Sequence, residues 1–359
     1  MYAERSKQMT FYDEPIYTVV VPQDHFLRKL NTVVNFSFVN ELCKDLYCPD
    51  NGRPSWEPQL LFKALFLQFL YNLNDYTVEA EINDRMSFKY FLGLAVNEAG
   101  PDHSTLSRFR DRLGPERFVA IFNRIVELAR EQGLVSDKLY IVDSTDIKAK
   151  VNMFRVTEER NAGKNDKDSS SDMPDKPNDS GGFSTPDPDA RFGRKSKTNK
   201  FYGYKEHLCV DAESELIVGR TTTPGNELDG NHFQDVIPDN VQPKVITADK
   251  AYDDRKNHDY LAERGIRNGI ILRKNHRSSY TYPVRKSRIA QRLRPLIEHK
   301  NAELKRWHSL ARARFWGLLR VSIQSCMAAI AVNCKRMVKL LFSLAAPPRI
   351  FLRAAPVAG

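Results

Sequence analysis

Apolar residues return every three or four positions through much of the first third of the chain, then gather into short unbroken runs. The first regime predicts helices and the second predicts strands. From about Pro54, Leu61, Ala64, Leu65 and Phe69 share one helical face, Phe62, Phe66 and Leu70 widen it, and Pro58 suits a first turn. A second helix is predicted over Thr77 to Phe91. In "GPDHSTLSRFRDRLG", Asp102 or Ser104 can cap a short helix that Gly114 ends. The next starts near Pro115, carries Phe118, Ile121, Phe122, Ile125 and Leu128 on one face, and stops at Gly133. Residues 54–135 therefore read as four packed helices, with 1–53 as a flank before them.

From Lys138 the runs are strand-like. "LYIVDSTD" is one strand, and "FYGYKEHLCVDAESELIVGRTTT" holds two more around a hairpin turn at Asp211 to Ser214. Asn226 to Val236 predicts a short helix, Val245 to Ala248 a strand, Tyr252 to Arg264 a helix ended by Gly265, and Ile266 to Leu272 a strand. Helices fill most of the remainder, so residues 136–345 predict a mixed α/β layer. Asn161 to Asn199 is rich in Asp, Lys, Ser, Pro and Gly and cannot bury enough apolar surface to order itself, which makes 161–199 a disordered polar insertion. Residues 346–359 are left as a tail, and no internal repeat is visible.

Charge sharpens this picture. The whole chain carries +10, yet from Gly265 to Gly359 there are 20 Lys and Arg against two acids, Glu298 and Glu303. A basic third interleaved with Tyr280, Tyr282, Trp307, Phe315 and Trp316 points to a polyanion, because every neutralised phosphate releases counterions. The competing reading is a solvated basic surface. The short helix before Gly114 is also basic, with Arg108, Arg110 and Arg112 set around Leu106, Phe109 and Leu113. Following a turn within a bundle, it resembles the reading helix of a helix-turn-helix DNA binder, with merely solvated arginines as the rival. The longest apolar region, Val321 to Ala346, is broken by Gln324, Asn333, Lys335, Arg336 and Lys339, so no membrane span is expected. Without a secretory signal pattern, and with five scattered cysteines that complete no zinc site, a reduced cytoplasmic protein is expected.

Two of the strand-like runs end alike, Val142 giving way to Asp143 and Ala248 to Asp249. At the carboxyl edge of an open α/β sheet, paired carboxylates raise one another's pKa unless a cation neutralises them. Hard oxygens in an open site suit Mg²⁺ or Mn²⁺. Glu298 is a third candidate as one of two acids in "RLRPLIEHKNAELKRWHSLARAR". On a helix Lys305 returns to its face, Glu303 points about 140° away, and Arg294 shares the face if the helix runs back through Pro295.

These residues resemble the DDE transposases of bacterial insertion sequences, in the group whose third acidic region reads Tyr, two residues, Arg, three residues, Glu, six residues, Lys. Arg294, Glu298 and Lys305 match that spacing, while Gln291 stands at the Tyr position. "VDSTDIKAK" is similar to the first acidic segment and "ADKAYDD" to the second, with Tyr252 in its aromatic position. "WEPQLLFKALFLQFLYNLNDYTVEAEIND" and "PDHSTLSRFRDRL" are similar to the N-terminal helical domain, and "GYKEHLCVD" to the second strand. The resemblance spans roughly residues 50–340 apart from the insertion. It implies an RNase H-like mixed sheet flanked by helices and preceded by an all-α DNA-binding domain. It also implies a triad of Asp143, Asp249 and Glu298 holding two divalent ions, with double-stranded DNA as partner. Arg294, Lys305, Tyr252 and Arg306 would meet the DNA together with Arg108, Arg110 and Arg112. Synapsis of two element ends implies a homodimer on DNA, in a bacterial cytoplasm near the nucleoid.

Other acids have plainer readings. Asp146 competes with Asp143 but falls outside the apolar run; Asp253, Asp254 and Asp229 read as caps and His207 as a structural histidine in a strand. Two rival functions remain: a metal-dependent nuclease of the same fold that cuts without joining, and a transposase-derived regulator that binds DNA without chemistry.

Overall fold

Helices occupy the described chain up to Glu131, and a mixed sheet with its flanking helices occupies the chain beyond. The computed structural model describes residues 12–48, 55–152, 156, 187–194, 200–273 and 288–344, the side chains of 288–292 and 294 excepted. The tail at 346–359 and most of the polar insertion lie outside these residues.

Three short helices, α1 (Asp13–Val20), α2 (Phe26–Val33) and α3 (Phe38–Leu42), precede the predicted bundle in the stretch read as a flank. Long-range contacts hold them. Leu27, Leu30 and Val33 of α2 are buried, the Tyr17 hydroxyl donates to the Leu94 carbonyl at 2.8 Å, and Asp13 accepts from the Val96 amide at 3.0 Å. Helix α4 (Pro58–Leu70) opens on Pro58 as predicted and is apolar nearly all round, which places it centrally. The single helix expected over Thr77 to Phe91 is two, α5 (Asp75–Asp84) and α6 (Met86–Leu92). Arg85 between them is extended (φ −91°, ψ 115°), so Val78 and Ile82 of α5 and Phe88 and Phe91 of α6 turn separately onto the core. Helix α7 (His103–Glu131) is capped by Asp102, which accepts from the Thr105 amide at 2.7 Å. Gly114 (φ 69°, ψ 163°) breaks it before Pro115, so it packs as the two helices predicted.

The sheet comprises β1 (Leu139–Lys148), β2 (Arg191–Arg194), β3 (Lys200–Asp211), β4 (Ile217–Pro224), β5 (Val245–Ala248) and β6 (Arg267–Ile270). β1 is central, with β3 antiparallel on one side, β5 parallel on the other, and β6 parallel beyond it. β2 and β4 lie end to end on the far edge of β3, against residues 200–203 and 204–210. This is a mixed sheet flanked by helices, as expected. Close packing fixes Gly203, where a Cβ would sit 2.1 Å from the Ile147 carbonyl oxygen. β2 corrects the reading of 161–199 as wholly disordered, because Arg191 to Arg194 complete the edge of β3. The helix expected at Asn226 to Val236 is one 3₁₀ turn, Asp229–His232, whose Asp229 is paired to Lys205 at 2.8 Å rather than free to cap.

Helix α8 (Arg255–Glu263) joins β5 to β6; α9 (Arg288–Trp307) and α10 (Leu318–Leu344) come after β6. α10 packs against α2, α4, α7 and β4, so one apolar core runs from the helical region into the sheet. Its buried Asn333 grips the start of β4, accepting from the Ile217 amide and donating to the Ile217 carbonyl, both at 2.8 Å. Nearby, buried Glu206 and Arg220 form a two-pronged ion pair at 2.7 and 3.1 Å. Among the described residues no helix is long and apolar enough to cross a membrane.

Candidate active site

Asp143 does not end its strand as expected. β1 continues to Lys148, because residues beyond Asp143 still pair with β3. What ends there is the pairing with β5, whose last register pair is Val142 with Ala248. Asp143 and Asp249 come next on the two strands, so two carboxylates leave neighbouring parallel strands, about 4.8 Å apart, at one level. Both line a cleft with Thr247, Ile271 and Ile297. Asp249 accepts from the Lys250 amide at 2.6 Å, fixing the turn after β5.

Helix α9 forms the third wall. Ile297, Lys300 and Leu304 are buried beneath it, while Asn301 donates its amide to Asp143 at 3.1 Å and Lys305 pairs with Asp146 at 2.6 Å. Glu298 lies three residues before Asn301 and seven before Lys305, on the stripe of α9 that faces β1, and is exposed. Glu303 turns elsewhere, to Lys335 at 2.8 Å and Lys300 at 3.1 Å. Burial pushes its pKa up, but those two ammonium groups outweigh it and hold the carboxyl below its usual range. Of the two acids in the basic third, only Glu298 lies on the α9 stripe that carries Asn301 and Lys305. Among the described residues no three His, Cys, Asp or Glu side chains already converge as a metal-holding group.

Several predicted contacts lie elsewhere than expected. Arg110 is buried, bonded to Asp75 at 2.5 Å and Gln68 at 3.1 Å, with its guanidinium over Phe315, so it cannot reach a DNA surface. Arg108 and Arg112 on the same helix are exposed, as is Arg306. Tyr252 is also buried, behind the cleft rather than on it. Burial first, then the charges of Asp229, Asp143 and Asp249, hold its phenol well above the usual pKa. Asp146 belongs to β1 and is engaged by Lys305. Asp254 caps α8 as expected, but Asp253 is buried against His258 at 2.9 Å. His207 is structural, with Nε2 2.9 Å from the Thr223 hydroxyl. The side chains of Arg294 and Gln291 lie outside the described residues. Sequence reasoning missed Asn301, although its spacing from Glu298 on a helix was the available signal.

The donor chemistry fits a hard divalent cation. Two carboxylates leave adjacent strands at one level and a third stands on the facing helix, an all-oxygen donor set of the kind such ions take.

Residues 136–334 match the family described as a transposase DDE domain, and residues 17–112 match one described as a transposase domain. Among solved structures, the chain is similar to a piggyBac transposase synaptic complex with hairpin DNA at 10% identity, covering 96% of this chain and 84% of that one, with a TM-score of 0.33. A Mos1 strand transfer complex aligns at 13% identity over 83% of this chain and 81% of that one, with a TM-score of 0.23. At these TM-scores the two likenesses carry no argument about the site.

Proposed function

The chain belongs to the transposase DDE domain family, whose enzymes act in DNA transposition, and we propose that it cuts and joins DNA strands at Asp143, Asp249 and Glu298. The observation that carries the assignment is the shared level of Asp143 and Asp249 on β1 and β5, faced by the α9 stripe that bears Glu298.

The three carboxylates would hold two Mg²⁺ or Mn²⁺ ions, which supply Lewis acidity to the attacking and departing oxygens of an in-line phosphoryl transfer. The protein's own part is positioning. The floor of the cleft fixes the two aspartates, α9 carries Glu298 over them, and the basic surrounding holds the phosphates. Water attacks a phosphodiester at the element's end and a 3′-hydroxyl departs. That hydroxyl then attacks a phosphodiester of the target, one P–O bond forming as another breaks. Lys305, which shares the stripe of Glu298, and Arg294 would meet phosphate oxygens by charge-assisted hydrogen bonds. Arg306, Arg108 and Arg112 would contact the duplex backbone, with two copies of the chain bridging two element ends.

Asp249→Asn keeps the shape and hydrogen bonding of the side chain while removing its charge. It should bind element-end DNA with affinity close to wild type and cut it in Mg²⁺ about 10²–10³-fold more slowly, or worse. Gel-shift and cleavage assays on the same DNA separate the two effects, and cleavage at the wild-type rate refutes the assignment.

A further inference from the structure

We propose that a recess at the far end of β1 is a second DNA-backbone site, holding phosphates about five nucleotides from the phosphodiester cut beside Asp143. The recess measures about 770 Å³; Phe201 and Tyr202 form its floor, and Lys148, Lys150, Lys200 and Arg312 its rim. The two aromatic side chains are buried, and the four cations are exposed.

The pairing of the charges is the telling feature. Lys148 bridges in register to Arg312, and Lys200 stands directly opposite Arg194 in the β2–β3 ladder. Like charges placed opposite one another on strands destabilise a sheet. Among the described residues none of these five cations has a carboxylate partner, although the same protein pairs Arg110, Lys205, Arg220 and Lys305 with acids. One uncompensated like-charge pair on the rim, Lys148 with Arg312, and a second that reaches it through Lys200 are what a polyanion would relieve. Several charges spread along a rim suit successive phosphates of a backbone better than a single phosphate group.

Two stretches of chain connect the recess to the acid pair. β1 runs from Asp143 to Lys148, and the other wall runs from Glu298 along α9 to Arg312, whose neighbours bond back to Lys148: the Lys148 amide to the Ala311 carbonyl at 3.2 Å, the Ala313 amide to the Lys148 carbonyl at 2.7 Å. Five strand residues span about 17 Å. A DNA strand that rises about 3.4 Å per nucleotide covers that distance in about five steps.

This inference rests on the acid pair being the cutting site, and the test keeps the two apart. Full-length protein carrying Lys148→Ala, Lys200→Ala and Arg312→Ala is compared with wild type for binding a 30-base-pair element-end duplex between 50 and 200 mM salt, without Mg²⁺. A control carries Lys244→Ala, Lys256→Ala and Lys339→Ala, the same loss of charge on other elements. Each phosphate contact contributes about 0.9 to the slope of log affinity against log salt. The recess variant should lose about two to three from that slope and bind at least about tenfold more weakly at the upper salt limit. Its melting temperature should hold or rise at low salt, since repulsion has been removed, and the control should keep the wild-type slope. An unchanged slope in the recess variant, or an equal fall in the control, overturns the recess. Wild-type protein that binds with the full slope yet never cuts in Mg²⁺ overturns the reading of the acid pair.

Discussion

His207 shows how a single side chain ties stability to pH. Its ring is fully buried on β3, 5.1 Å from the ring of His232, and burial pulls its pKa from 6.5 to about 4. Asp229 and Asp235 oppose that shift, while His232 and Lys205 add to it. The unfolded chain therefore binds the extra proton between those values, so this contribution to stability is complete above pH 6.5 and declines as the pH falls toward 4. His207→Gln should flatten the acid limb of a stability profile measured by urea unfolding between pH 7 and 4; a limb as steep as wild type contradicts it. The same scale marks what the sequence could disclose. Asp143, Asp249 and Glu298 stand out because each breaks its surroundings, two as acids against apolar runs and one as an acid among cations. Arg110 looks like any exposed arginine, since its partners Gln68 and Asp75 lie 42 and 35 residues away. Asn301 carries no charge contrast at all.

Elements divide in a similar way. Long periodic segments such as α4 and both halves of α7 were legible, and so was every principal strand except β2. Helices α1 to α3 were not, because eight residues or fewer show too little of a repeat and their stability comes from distant partners such as Leu94 and Val96. The Gly-Pro junction in α7 was legible because its chemistry is local. Gly114 holds a backbone conformation (φ 69°, ψ 163°) open almost only to glycine, with space where a Cβ would sit. Gly114→Ala should therefore cost about 1–3 kcal/mol through backbone strain alone. Chemical denaturation reads this directly, and a neutral substitution would mean that the junction relaxes into a continuous helix.

At the scale of the whole molecule, α10 decides how the chain behaves. It presents buried residues to α7 and α4 on one side and to β4 on the other, so the first and last thirds of the chain share a core. Helical region and sheet are expected to unfold together, with far-UV circular dichroism and the fluorescence of Trp56, Trp307 and Trp316 giving one coincident transition. Two well-separated transitions would show that the shared core is not cohesive. The lopsided charge was plain in the sequence, but the recess was not, because Lys148, Lys200 and Arg312 meet only once β1, β3 and the turn after α9 are assembled. The clasp of Asn333 on Ile217 has an evolutionary corollary. A lineage that swapped out the helices ahead of residue 136 would bare the flank of α10 that packs on α2, α4 and α7 and so loosen the helix that holds β4, so those helices should diverge by substitution rather than be exchanged as a cassette.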